Sequence, residues 1–170
     1  MPFNARNDVL FQRMLHALRT HPTLQSLRLV HVDETSPHVS QPLATLIRES
    51  TGSLRHVGFE MLRMNGPFLQ QIASANKTGV ERWSFDFSGC LFDDASFTQL
   101  KSIYEESNET LVKLGFLRHN RFSFPNYASA MKSLVGSAPG LSVVEIDDAT
   151  AREDETLVKG ILQGLTSTIS

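Results

Sequence analysis

The sequence predicts a single α/β domain built as a right-handed solenoid of strand–helix units, with about five parallel strands on its concave side and helices outside. Three observations predict this fold. A short apolar pattern recurs about every 30 residues, a helical pattern follows each copy, and turn-forming residues separate the units. Repetition at a near-constant spacing indicates a repeat protein, in which each unit packs only on its neighbours.

The first pattern has apolar residues at its second, fifth and seventh positions and is enriched in β-branched and aromatic residues, which is typical of short strands. Its copies occupy residues 23–30, 53–60, 79–86, 110–117 and 140–147. One domain covering residues 1–170 therefore contains units that start near 23, 53, 79, 110 and 140. The inner side chains of successive strands are expected to stack as a ladder. That ladder is predicted to consist of Leu27, Val57, Trp83, Leu114 and Val144.

The second pattern spaces apolar residues three and four apart, which places them on one face of a helix. A further amphipathic helix, residues 8–20, precedes the first unit, with Asp8 as its N-cap. The last helix is predicted to bury Leu157, Ile161, Leu162 and Leu165. Two strands joined by a helix must run parallel, with a right-handed crossover. Because a helix is wider than the spacing between strands, the strands should line the concave side.

The repeated segments resemble the leucine-rich repeat family, whose pattern LxxLxL is followed by Asn or Cys. A helix in each unit of about 29 residues resembles the ribonuclease-inhibitor-like class of that family. The best match is VERWSFDFSGCLFDDASFTQLKSI, which places Cys90 near the Asn/Cys position, whereas Asn120 comes one place late in LVKLGFLRHNRF. The other three units are degenerate there, with Val32, Leu62 and Ala149. The resemblance implies a horseshoe-shaped scaffold for protein–protein recognition.

Composition excludes several classes of function. The net charge is −2, whereas a general binder of nucleic acid needs a strong basic excess. The single cysteine, Cys90, rules out an internal disulfide and suits a reducing compartment; we expect it to be a buried, small apolar side chain. No apolar run approaches the ~20 residues of a membrane span, and the N-terminus does not resemble a signal peptide. We therefore expect a cytoplasmic protein that binds neither nucleic acid nor membrane.

Strand residues that alternate with the inner ones should point to the concave surface. There they should form three columns across the strands. The columns are Ser26, His56, Arg82, Lys113 and Val143; Arg28, Gly58, Ser84, Gly115 and Glu145; and Val30, Glu60, Asp86, Leu117 and Asp147. Neighbours in a column touch, so His56, Arg82 and Lys113 are predicted to form a positive stripe. Glu60 and Asp86 should form a negative stripe beside it.

This surface has three open interpretations: a partner-binding face, a solvated face with weak ion pairs, or a divalent-metal site at Glu60 and Asp86. We favour the first, with its centre at Arg82. The candidate partner-binding residues are Arg28, His56, Glu60, Arg82, Ser84, Asp86, Lys113, Leu117, Glu145 and Asp147.

The sequence contains no phosphate-binding glycine loop, nucleophile elbow or HExxH motif, so we predict no catalytic residue, metal or cofactor. The predicted function is a protein–protein interaction scaffold that binds an unidentified protein on its concave sheet. The alternative is a regulatory or substrate-recognition fragment of a larger enzyme or of a ubiquitin-ligase-type assembly. We expect either a monomer or part of a longer solenoid.

Overall fold

The computed structural model describes residues 5–31, 37–49, 54–75, 83–107 and 111–167. Within these ranges, strands and helices alternate along the chain. The helices are α1 (Ala5–Arg19), α2 (Pro37–Glu49), α3 (Gly66–Ala75), α4 (Asp94–Glu106), α5 (Tyr127–Ser137), α6 (Asp148–Glu153) and α7 (Glu155–Ser167). The strands are β1 (Ser26–Val30), β2 (His56–Glu60), β3 (Trp83–Ser88), β4 (Leu91–Phe92), β5 (Leu111–Leu117), β6 (Arg121–Phe122) and β7 (Val143–Ile146).

Five of the strands form one sheet in the order β1-β2-β3-β5-β7, and every neighbouring pair is parallel. The predicted α/β class with five parallel strands is therefore confirmed. The short strands β4 and β6 form a second parallel sheet, which the apolar pattern did not predict. None of the helices in the described ranges is both long and apolar enough to span a membrane.

The core lies between the five-stranded sheet and the helices, which pack side by side in chain order from α1 to α5 and then α7. Aromatic rings fill its centre. The ring of Phe87 stacks on Phe59 at 5.3 Å and on Phe116 at 5.9 Å, and Phe92 meets it edge-on at 5.1 Å. These four side chains are at most 1% exposed. Because each ring comes from a different unit or strand, the stack ties three neighbouring units together.

The third strand is shifted by two residues from the predicted register. Val57 pairs with Phe85, and Phe85 pairs with Leu114, so Phe85 occupies the ladder position that the sequence assigned to Trp83. Trp83 is buried as predicted, but it lies opposite Leu111 and next to an irregularity between Trp83 and Ser84. The irregularity takes one residue out of the spacing found in the other units. The predicted start near residue 79 lies outside the described residues.

Carboxylates begin the last helices, as predicted. Asp93 caps α4 by accepting the Ser96 N–H at 2.7 Å, while the Ser96 hydroxyl accepts the Asp93 N–H at 3.0 Å. Asp154 accepts the Leu157 N–H at 2.9 Å at the start of α7. Each side chain satisfies an amide that has no partner inside its helix.

Two helix predictions are wrong in detail. The first helix begins at Ala5 and ends at Arg19, so Asp8 lies inside the helix rather than at its N-cap. In α7, Leu162 and Leu165 are 56% and 42% exposed instead of buried. This helix packs on α5, and within the described residues no further helix follows it to cover those leucines.

The residue that directly follows the strand has a left-handed backbone conformation at four strands of the main sheet. His31, Met61, Gly89 and Arg118 each follow the last residue of a strand and have φ values of 51°, 56°, 61° and 53°. Their amides continue the ladder: Met61 N–H, for example, donates to Ser88 O at 2.8 Å. The left-handed region costs a non-glycine residue roughly 1–2 kcal/mol, so three of these four positions carry a side chain against a backbone preference.

Cys90 and Asn120 occupy equivalent positions, since Leu91 pairs with Arg121. Asn120 does come one place late after its strand, as predicted, because the pairing offset grows from 29 residues at Ser88–Leu117 to 30 at Leu91–Arg121, and this extra residue brings Asn120 level with Cys90. Its side chain accepts the Cys90 N–H at 2.8 Å and donates to Phe87 O at 2.9 Å, and it is 8% exposed. Cys90 is fully buried, as predicted, and its thiol donates to Phe59 O at 3.4 Å. These two side chains satisfy backbone groups that the turns would otherwise leave unpaired. In the equivalent position of the preceding unit, Leu62 is buried.

Replacing Phe87 by alanine should lower the free energy of unfolding by about 3–5 kcal/mol, because it removes the ring at the centre of the aromatic stack and leaves a cavity. Chemical denaturation followed by circular dichroism measures the change. Val143→Ala, at a strand position that is 47% exposed, is the control and should change stability by about 0.5 kcal/mol or less. Equal effects of the two substitutions would contradict the placement of Phe87.

Candidate functional site

The candidate site is the open face of the five-stranded sheet, which carries the strand residues that alternate with core residues. The observed register aligns these residues in three rows across the strands. The rows are Ser26, His56, Ser84, Lys113 and Val143; Arg28, Gly58, Asp86, Gly115 and Glu145; and Val30, Glu60, Ser88 and Leu117. Ser84 therefore stands where Arg82 was predicted, and Asp86 lies in the middle row. Arg82 itself lies outside the described residues.

Asp86 is the centre of a charge cluster on this face. Its carboxylate lies 3.4 Å from His56 Nε2 and 3.6 Å from Lys113 Nζ, and its side chain is only 16% exposed. Lys113 also contacts Glu145. The hydrogen bond to Glu145 raises the pKa of Lys113, aided by the charge of Asp86 and opposed by desolvation. The predicted separate positive and negative stripes are therefore wrong: the signs alternate along the middle of the face, as cross-strand pairing favours.

Glycines lie on both sides of Asp86 in its row. A Cβ atom at Gly115 would overlap with the Asp86 carboxylate, so this carboxylate occupies the space that a side chain would take. At Gly58 the nearest atoms would be Arg28 Cγ at 3.5 Å and His56 Nε2 at 3.7 Å, which are ordinary contact distances. The Asp86 carboxylate thus covers Gly115, while the side chains of Arg28 and His56 lie next to Gly58 on the same face.

A second ion pair borders the cluster. Arg28 and Glu60 lie 2.6 Å apart, and Arg118 approaches the same carboxylate at 3.9 Å. The arginines are 56% and 68% exposed, but Glu60 is only 19% exposed. Among the described residues, no three potential metal-ligating side chains come together. Glu60 and Asp86 each face cations, which compete with any divalent ion for their oxygens.

Asp147 has a structural contact that the sequence did not predict. One carboxylate oxygen caps α6 by accepting the Thr150 N–H at 2.8 Å, and the other accepts the Arg118 N–H at 2.9 Å. Hydrogen bonds from Thr150 lower the pKa of Asp147, with further contributions from the Arg118 amide and the charge of His119, and desolvation opposes them. This carboxylate joins the end of β5 to the start of α6. Of the other predicted residues, Glu145 is exposed and Leu117 is half-buried.

Ser84, His56 and Asp86 form a continuous chain of contacts across two strands. His56 Nδ1 lies 2.7 Å from Ser84 Oγ, and its Nε2 faces Asp86. These three residue types act together in hydrolases, where a donor pair must also stabilise the oxyanion. Here the Ser84 hydroxyl donates to Arg55 O at 3.3 Å, and the Ser84 amide donates to the same carbonyl at 3.0 Å. The nearest amide is thus committed to the sheet.

Asp147→Ala should lower the free energy of unfolding by about 1 kcal/mol at pH 7, the usual cost of losing an N-cap. Because folding lowers the pKa of Asp147, its charged form stabilises the protein above the unfolded pKa of about 4. That stabilisation disappears as the pH falls through the folded pKa. We therefore expect the difference in free energy of unfolding between parent and variant, measured by denaturation, to be smaller at low pH than at pH 7. Glu106→Ala, on the exposed end of α4, is the control and should show no such convergence.

No family model matches the chain, and no curated protein matches it. Solved structures do. One is a tropomodulin C-terminal domain from Caenorhabditis elegans, which superposes with a TM-score of 0.52 over 92% of this chain and 93% of that chain, at 10% sequence identity. That domain has a leucine-rich-repeat type of fold, and the parallel sheet described above fits the same type. At this identity the likeness concerns the fold alone.

Proposed function

We propose that this domain is a non-catalytic protein-binding module that contacts a protein partner through the open face of its sheet. The observation that carries the proposal is the charge cluster around Asp86, which lies among exposed charged side chains on neighbouring strands. Rigid strands hold these groups in place before binding, so a partner loses little free energy in ordering them. The tropomodulin C-terminal domain supports the scaffold type.

The finer features of the proposal follow from the sequence. The open face would be the concave side of a right-handed solenoid of the ribonuclease-inhibitor-like class, acting in the cytoplasm as a monomer or as part of a longer solenoid. A curved, one-layer sheet presents an extended surface with replaceable side chains. His56 and Lys113 already pair with Asp86, so a partner would be recognised mainly by its shape and by contacts with the exposed side chains around this carboxylate.

Gly58→Gln should abolish partner binding while leaving the fold intact. The added side chain projects from the open face beside the charge cluster, and its Cβ meets only ordinary contacts in a strand position that accepts any L-residue. We expect a free energy of unfolding within about 1 kcal/mol of the parent and at least about tenfold weaker binding. The parent and the variant are each immobilised, and the proteins that bind to them are compared. The affinity of the partner identified in this way is then measured for both.

Thr98→Gln is the matched control, since it adds the same side chain at an exposed position on helix α4. It should retain the partner as the parent does. If Gly58→Gln retains the same partner with the same affinity, the binding site does not lie on the open face, and the helices become the next surface to test.

The second candidate function is enzymatic, either in this domain or as part of a larger enzyme, and the contacts among Ser84, His56 and Asp86 favour it. A hydrolase would lose its turnover in Ser84→Ala. We expect no difference between parent and Ser84→Ala on a panel of activated esters, because the Ser84 amide is held by the sheet and cannot stabilise an oxyanion. Turnover by the parent that Ser84→Ala lacks would overturn the non-catalytic proposal.

A further inference from the structure

A groove of about 620 Å³ lies where the strands of the main sheet end, next to the open face. Met61 and Leu91 contribute apolar surface to it, and Arg63, Arg118 and Arg121 contribute cations. The three arginines are exposed, and Met61 is 54% exposed. In parallel α/β sheets, the carboxyl ends of the strands are the edge at which ligands most often bind.

Positive charge is concentrated in this groove although the whole chain has a net charge of −2. Its one carboxylate, Glu60, is already paired with Arg28 at 2.6 Å. Within the described residues, neither Arg63 nor Arg121 forms an ion pair. His119, also in the groove, lies 2.6 Å from Glu153. The two unpaired arginines are therefore available to an anionic ligand without breaking an existing contact.

The register of the small sheet spaces these cations. Arg63 bridges to Leu91, and Leu91 pairs with Arg121, so the two arginines lie on either side of Leu91. Two strand spacings amount to about 10 Å. An extended peptide advances about 3.3 Å per residue and points successive side chains to opposite faces, so residues on one face are two positions apart. Two acidic residues four positions apart, about 13 Å along the chain, can therefore reach the two long arginine side chains from one face. The side chain halfway between them would lie over Leu91.

The backbone also directs long side chains into the groove. All four non-glycine residues with positive φ in the described ranges line it: His31, Met61, Arg118 and His119. Gly89, at the position equivalent to Met61 and Arg118, has no side chain and leaves the floor open between them. Unfavourable backbone conformations that a fold retains are concentrated at functional sites, and here they position the side chains of the groove.

We infer that this groove binds an acidic peptide segment of a protein partner, with carboxylates on Arg63 and Arg121 and an apolar side chain over Leu91 and Met61. The apolar floor favours a peptide over a nucleic acid, which would also need a longer basic surface than this chain of net charge −2 offers. Arginine pairs with carboxylates through two parallel hydrogen bonds, which gives the contact a defined geometry. This surface is distinct from the charge cluster around Asp86, so the inference extends the proposed function to a second site.

The test uses the intact chain and the fluorescein-labelled peptide DELDELDE, in which the first, third and fifth residues are acidic, leucine and acidic and share one face of an extended chain. Fluorescence anisotropy should show binding that weakens with added salt. The double variant Arg63→Gln with Arg121→Gln should weaken it by about tenfold or more. Arg118→Asn should also weaken it and keep the fold, because asparagine tolerates the left-handed conformation.

Lys132→Gln with Lys159→Gln, which removes the same charge from exposed positions on α5 and α7, is the matched control and should bind as the parent does. The neutral peptide NQLNQLNQ should bind at least about tenfold more weakly than DELDELDE. Gly58→Gln should leave peptide binding unchanged, which separates this site from the open face. The inference is overturned if DELDELDE does not bind, if the control pair weakens it equally, if Gly58→Gln abolishes it, or if a single-stranded oligonucleotide of equal charge binds more tightly.

Discussion

Parallel pairing of the strands in register is the constraint on which the rest of the molecule depends. It places equivalent residues of successive units one strand spacing apart, so whatever one unit presents is repeated by its neighbour. On the inner side this repetition stacks Phe59, Phe87 and Phe116. On the open side it brings His56, Asp86 and Lys113 into contact across three strands. A shift of the register by one residue would exchange the two faces and lose both arrangements.

The same constraint explains how degenerate units are tolerated. In register, Asn120 lies beside Cys90, and its amide group holds the Cys90 N–H and the Phe87 carbonyl together. Leu62, in the equivalent place one unit earlier, has no side-chain amide, but the main-chain ladder is the same in both places: the Leu91 N–H donates to Leu62 O at 2.9 Å, as the Arg121 N–H donates to Cys90 O at 2.8 Å. The main-chain bond is thus kept whether or not a unit carries the asparagine, because unit geometry and not residue identity decides which groups must be satisfied.

The sequence predicted the class of fold and most of the inner residues because burial leaves a strong periodic pattern. The register of the third unit could not be predicted in the same way. The stretch from Val80 to Phe87 has apolar residues at positions 80, 83, 85 and 87, so a second alignment that uses Phe85 and Phe87 competes with the predicted one, although it puts Arg82 at the first apolar position. Contacts with neighbouring units decide between them, since only one alignment stacks Phe87 between Phe59 and Phe116. Because of that local ambiguity, the predicted alignment placed Asp86 in a different row, and the charge cluster on the open face was not predicted.

The basic groove was missed for a different reason. Its arginines come from the two segments that follow β2 and β5, outside the apolar pattern that identified the units, and they converge only because parallel strands end at a common edge. The open face and the groove also differ in whether their cations already have ion-pair partners. Arg28 and Lys113 on the open face already contact Glu60, Asp86 or Glu145, so a partner there must exchange one ion pair for another and gains little charge energy. The unpaired Arg63 and Arg121 require no such exchange. Shape should therefore dominate recognition on the open face, whereas charge should dominate in the groove, and added salt should weaken binding at the groove more strongly than at the sheet.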